Sequence, residues 1–161
     1  LDVGAGTGLL GLKLTEKGIN LRYTACDATT RFVEVLSTQT EVYAAVHHLW
    51  LGRGVENFPA ELQENFDLVT ASGVFLKGHM PAAALDDCYA ALKVGGYFVT
   101  AMRSVYWAHG NEEGYREKLD SLIEADKLEL VNTFTFMRGV EGEVGLFAPM
   151  ESRLLCFKKI A

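Results

Sequence analysis

The opening stretch Leu1-Asp2-Val3-Gly4-Ala5-Gly6-Thr7-Gly8-Leu9-Leu10-Gly11 limits what this chain can fold into more than any other part of it. Three glycines at alternate positions, after a short apolar run and before leucines at helical spacing, describe a strand that bends sharply into a helix. A turn without side chains lets the backbone approach a ligand closely. The helix that follows turns its unpaired N–H groups toward the same place. The plainer reading is a tight turn that binds nothing.

The glycines can be parsed in two ways. Gly6-Thr7-Gly8-Leu9-Leu10-Gly11 fits the G-x-G-x-x-G of nucleotide-pyrophosphate sites, whereas Asp2 with Gly4, Ala5, Gly6, Thr7 and Gly8 fits the acid-x-G-x-G-x-G loop of S-adenosyl-L-methionine (SAM) enzymes. Under the first parse Asp2 and Gly4 lie inside a buried parallel strand, where a carboxylate needs a partner and a glycine weakens the strand. Under the second, Asp2 stands at the strand's end and can accept a hydrogen bond from the loop or an ammonium group, and this parse is preferred. The next run, Leu21 to Cys26, reads as a second strand ending at Asp27, where a carboxylate can accept both ribose hydroxyls of either cofactor. The plainer reading of Asp27 is a cap for the following helix.

Two later segments separate the cofactors. Phe66-Asp67-Leu68-Val69-Thr70-Ala71-Ser72-Gly73-Val74-Phe75 and Leu92-Lys93-Val94-Gly95-Gly96-Tyr97-Phe98-Val99 resemble the fourth strand and the helix-Gly-Gly-fifth-strand unit of class I SAM-dependent methyltransferases. The resemblance runs from Leu1 to about Arg103. It is closest to the methyltransferase-like proteins of the Williams–Beuren critical region, through a segment similar to Gly78-His79-Met80-Pro81. It implies a Rossmann-like, doubly wound, mostly parallel seven-stranded sheet, SAM as cofactor, and contacts from Ser72 and Gly73 to the cofactor's methionine part. It also implies helices ahead of the glycine loop. A sequence starting at Leu1 does not contain them, which predicts a pocket open at the methionine end.

The 161 residues fit one domain, 1–161. With 21 acidic residues against 15 Lys and Arg, a net charge of −6 argues against a broad nucleic-acid or anionic-membrane footprint and favours a small-molecule or protein acceptor. Cys26, Cys88 and Cys156 sit far apart in apolar settings without metal-ligand spacing, so buried thiols and a cytoplasmic location are expected and no metal is. No apolar run reaches the length of a membrane span.

Leucines 9, 10, 12 and 14 should form the inner face of a first helix from Thr7 to Lys17, closed by Gly18. A second helix, capped by Thr29 or Thr30, turns Phe32, Val33, Val35 and Leu36 inward. Val46 to Leu51 reads as the third strand, near the sheet edge. A helix should run from Pro81 to Lys93, a fifth strand from Tyr97 to Arg103, and a charged helix from Asn111 to Lys127. Leu128 to Met137 and Ser152 to Lys158 then add an antiparallel hairpin, separated by the glycine-rich segment Gly139 to Pro149.

Ligands of open α/β sheets bind outside the carboxyl ends of the strands, where strand order reverses. That geometry collects Asp2, Gly4, Ala5, Gly6, Gly8, Asp27, Ala28, Phe32, Leu51, Gly52, Ser72 and Gly73 as cofactor contacts. The helix dipole favours a carboxylate near the N–H groups of Gly6 and Gly8. Phe32 can stack on adenine or belong to the core. His79 is the candidate general base, since imidazole titrates near neutral pH and this one lies in the loop after the fourth strand. It can also serve as a loop or cap residue. Three functions stay open: a SAM-dependent methyltransferase, a SAM- or nucleotide-binding module without efficient catalysis, and an NAD-dependent oxidoreductase.

Overall fold

The computed structural model describes residues 1–19, 21–139, 141–144 and 148–161, so the Gly139 to Pro149 segment lies partly outside the described residues. The strands are β1 (Asp2–Val3), β2 (Tyr23–Asp27), β3 (Tyr43–His48), β4 (Phe66–Ser72), β5 (Leu92–Arg103), β6 (Leu128–Arg138) and β7 (Met150–Lys159). They form one seven-stranded sheet in the order β3-β2-β1-β4-β5-β7-β6. The first five strands are parallel, and β7 lies antiparallel between β5 and β6. The expected closing hairpin is therefore present, and its second strand is inserted into the sheet. Strand order reverses between β1 and β4, which opens a crevice at their carboxyl ends.

Helices α1 (Leu9–Glu16) and α2 (Thr30–Ser37) accompany β1 to β3; α3 (Ala84–Ala91) and α4 (Tyr115–Glu124) cover the other face. Alternation along the strands divides the core accordingly. Val3, Cys26, Val69, Phe98 and Phe157 pack with Leu85, Cys88, Leu119 and Leu122, while Ala25, Leu36 and Tyr43 form a smaller cluster on the α2 side. On that second side, β5, β7 and β6 leave Tyr97, Leu154 and Phe134 exposed.

Helix α1 ends as expected: Gly18 has φ 75°, its N–H donates to Thr15 O (2.9 Å), and Ile19 N–H reaches back to Leu14 O (3.0 Å). Its inner face differs from expectation. Leu9 is 62 % exposed, and the helix instead presents Gly11, where a Cβ would lie 2.6 Å from the Tyr43 hydroxyl oxygen. In α2 only Leu36 is fully buried, while Phe32 and Val35 reach solvent because β3 is the sheet edge and gives the helix a narrow floor.

Three other boundaries are corrected. Strand β3 starts at Tyr43 rather than Val46 and ends at His48, because it pairs along β2 from Tyr23 to Asp27 and has no partner beyond. The α-helix expected from Pro81 begins only at Ala84, since Ala84 and Leu85 N–H groups first make tighter bonds to Pro81 O and Ala82 O (both 3.0 Å). It ends before Lys93 because Leu92 already pairs with Phe66; Lys93 to Gly96 bulge out before Tyr97 pairs with Leu68. The charged helix is shortened by left-handed residues at both ends, Gly114 (φ 68°) and Asp126 (φ 54°), while its expected inner residues Tyr115, Leu119 and Leu122 are buried.

Candidate active site

All three loop glycines need positive φ, with values of 62° at Gly4, 58° at Gly6 and 82° at Gly8. What stands before each differs. A Cβ on Gly4 would lie 2.5 Å from Val74 Cγ1, and one on Gly8 would run into the side chains of Gln39 and Tyr43, but one on Gly6 would meet nothing within 4 Å. Gly4 and Gly8 are thus pressed against protein, and Gly6 alone faces open space. The loop is rigidly held: Gly4 and Ala5 N–H donate to Cys26 O (2.9 and 3.2 Å), and Gln39 Nε2 donates to Thr7 O (2.8 Å).

Asp27 ties this loop to the next. Its Oδ2 accepts Gly6 N–H (2.9 Å) and its Oδ1 accepts Thr29 N–H (2.8 Å) ahead of α2, where Thr29 makes no side-chain cap of its own. A carboxylate offers about four lone-pair sites, so lone pairs remain for further donors such as ribose hydroxyls. Helix-end and ligand roles are compatible in one side chain. The Ala28 carbonyl faces His48 Nε2 at 2.9 Å, and Phe32 stands 37 % exposed on the first turn of α2.

Asp2 is the first of the two residues of β1, 4 % exposed, and its partners are on neighbouring strands and not in the loop: Oδ2 accepts from the Tyr43 hydroxyl and Oδ1 from the Thr70 hydroxyl (both 3.0 Å). Burial pushes its carboxyl above the usual range, against the opposing pull of those two hydrogen bonds. The N–H groups of Gly6 and Gly8 are also engaged, by Asp27 and by Ala5 O (2.9 Å). An anion at this end would meet the first turn of α1 instead.

Across the crevice, Ser72 is exposed at the end of β4, and Gly73 (φ 72°) donates its N–H to Ala101 O at 2.9 Å. The loop that follows seats Val74 under Gly4 and returns through His79. The buried Tyr115 hydroxyl pins that loop, 2.7 Å from Met80 O and 3.1 Å from Leu76 O. His79 is exposed and lines a cavity of about 330 Å³ with Gly73, Phe75, Met102, Arg103 and Arg138. At the end of β3, Leu51 is part of the core and Gly52 donates its N–H to Asp87 Oδ2 (2.6 Å). Asp87 is 2 % exposed, its Oδ1 has no partner among the described residues, and burial raises its pKa.

A larger cavity, about 530 Å³, lies between α1 and the amino ends of the strands, lined by Leu10, Leu14, Tyr23 and Phe66. It is at the wrong end of the sheet for the crevice. Cys26 and Cys88 are buried in the core, and burial pushes both thiols up, away from the reactive thiolate form. Sequence reasoning missed Tyr43, Asp87 and Arg138. None of the three carries a local motif; Arg138 ends β6, and only the strand order brings it beside Gly73.

Residues 1–98 match the family profile described as a methyltransferase domain. The chain belongs to this methyltransferase family. SAM is the cofactor that goes with that membership, and the open space over Gly6 beside Asp27 is a cradle that fits it. No curated protein matches the methyltransferase by sequence. Solved structures share its fold at low identity. A TehB-like SAM-dependent methyltransferase from Corynebacterium glutamicum has 20% identity and a TM-score of 0.63, over 98% of this chain and 78% of that one. The N-methyltransferase NodS from Bradyrhizobium japonicum has 19% identity and a TM-score of 0.64, over 99% and 84%. A Haloferax volcanii protein in complex with the Trm112 methyltransferase activator has 15% identity and a TM-score of 0.67, over 99% and 81%.

Proposed function

We propose that this methyltransferase transfers the SAM methyl group to a small-molecule or protein acceptor bound beside the β4 end of the crevice. The observation that carries the reading is the contrast within the glycine loop: two glycines packed against protein and one, Gly6, facing open space next to the Asp27 carboxylate. SAM when bound supplies a methyl already activated on a sulfonium. The chain's task is then to hold the acceptor in line, which can provide several kcal/mol of the barrier reduction, roughly 7–11 at most.

Asp27 accepts the ribose hydroxyls in this reading, with Gly4, Ala5, Gly6 and Gly8 forming the floor and Ala28 and Phe32 flanking adenine. Asp2 braces the floor through Tyr43 and Thr70. Leu51 shapes the wall from the core, and Gly52 carries the turn beside it. Ser72 and Gly73 meet the methionine part. His79, on the rim of the adjoining cavity, takes the proton that the acceptor loses. The Gly78-His79-Met80-Pro81 segment supports kinship with the methyltransferase-like proteins of the Williams–Beuren critical region. Calorimetric titration with SAM, S-adenosylhomocysteine and NAD tests the assignment. Saturable binding of the first two is expected; binding of NAD alone would overturn it.

A further inference from the structure

The cavity next to the glycine loop has an electrostatic character that methyl transfer does not itself require. Arg103 stands at the carboxyl end of β5 and Arg138 at that of β6; both line the cavity with His79 and Gly73. They reach it because β7 holds β5 and β6 on either side of it, with Arg103 opposite Ser152 and Ser152 opposite Phe136. Arg138 Nη1 lies 3.2 Å from where a Cβ on Gly73 would be, so the guanidinium approaches the β4 end where glycine leaves room for it.

Neither guanidinium has a carboxylate within 4.0 Å among the described residues. Lys77, the nearest cation along the β4 loop, is already paired with Glu112 at 2.8 Å. Unmet donors collect at the same strand ends: the Ser152 hydroxyl, 2 % exposed, and the Ser104 hydroxyl have no partner among the described residues. Two uncompensated guanidiniums at the mouth of one cavity, on a chain of net charge −6, mark a place that attracts anions where most of the surface repels them.

We infer that the methyl acceptor carries an anionic group, a carboxylate or a phosphate, held by Arg138 and Arg103 while its nucleophilic atom faces the crevice. The inference rests on the methyltransferase reading of the same site. The planar fork of arginine binds either oxyanion through paired N–H donors, which fixes direction as well as distance. Gly73 is the point where this anchor and the cofactor site meet: Val74, its neighbour, packs against Gly4. Anchoring at Arg138 therefore fixes the acceptor's reach toward the methyl donor, and His79 lies on the same cavity wall to take the acceptor's proton.

Protein-observed NMR titration of the S-adenosylhomocysteine-loaded chain with benzoate, benzamide and phenyl phosphate tests this. Benzoate or phenyl phosphate should bind at least about tenfold tighter than the isosteric neutral benzamide, with shifts at Gly73 and His79. Whichever anion binds tighter names the source of the charge. Arg138→Gln should remove roughly tenfold of that preference, Arg103→Gln should weaken it too, and raising the salt should reduce it in the wild type. S-adenosylhomocysteine affinity, measured in each variant, should stay unchanged. Equal binding of benzoate and benzamide, or a preference untouched in Arg138→Gln, overturns the anionic acceptor while leaving the methyltransferase assignment intact. Failure of S-adenosylhomocysteine to bind the wild type overturns that assignment and this inference with it.

Discussion

In the proposed reading, Asp27 serves the fold and a ligand together. Its two oxygens hold the Gly6 and Thr29 amides, so Asp27→Ala loses the tie that shapes the loop and, in the proposed reading, a ribose acceptor with it. S-adenosylhomocysteine binding should weaken by roughly 1.5–3 kcal/mol, as expected for hydrogen bonds to a charged acceptor, and calorimetry reads it directly. Unchanged affinity would leave Asp27 with the helix end only. Tyr43→Phe is the complementary case: it removes the donor to a buried Asp2 oxygen and should cost about 1–3 kcal/mol in denaturant unfolding. Asp27 was legible because a strand ending in an acid before a helix is a local pattern. The partners of Asp2 were not, because Tyr43 and Thr70 lie 41 and 68 residues away, and only the sheet register brings them together.

Elements were legible in kind and order, less so at their ends. Hydrophobic runs announce a strand, but pairing decides where it stops: β3 starts three residues before Val46 because its length is set by β2, and the helix before β5 is shorter than its pattern suggests because Leu92 pairs with Phe66. The same reasoning governs the connections that bear on the site. Tyr115, on the first turn of α4, holds the His79 loop by its hydroxyl, so Tyr115→Phe should lower stability by about 1 kcal/mol and raise backbone mobility at residues 76–80 in NMR relaxation. Asp87, on α3, holds the Gly52 turn from a buried position that raises its pKa. An acid whose folded pKa exceeds its unfolded value holds its proton longer in the folded state, so it costs stability increasingly as pH rises from about 4 through the folded pKa. Asp87→Asn carries no such cost. Its stability relative to wild type should therefore improve as pH is raised from about 4 to 7, read by thermal unfolding at each pH. A relative decline over that range would mean that the hydrogen bond from Gly52 dominates burial and lowers the pKa instead.

At the scale of the whole molecule, the strand order matters most, since its reversal between β1 and β4 brings the glycine loop, Asp27 and the β4 loop around one crevice. The sequence pattern announced the alternation of strands and helices and the closing hairpin. It could not announce that β7 enters between β5 and β6, which is why Arg138 was missed although it lines the cavity beside Gly73. In the proposed reading SAM sits in the open space over Gly6, and Gly18 supplies a matched control. Both glycines have positive φ (58° and 75°) and nothing within 4 Å of an added Cβ, but Gly18 closes α1 at the far end from the crevice. Alanine at either site should cost a similar 1–2 kcal/mol of backbone strain. Calorimetric titration of S-adenosylhomocysteine into wild type, Gly6→Ala and Gly18→Ala separates strain from occupancy. Wild-type affinity is expected in Gly18→Ala and at least about a tenfold loss in Gly6→Ala; equal affinities in the two variants would mean that SAM does not occupy the space over Gly6.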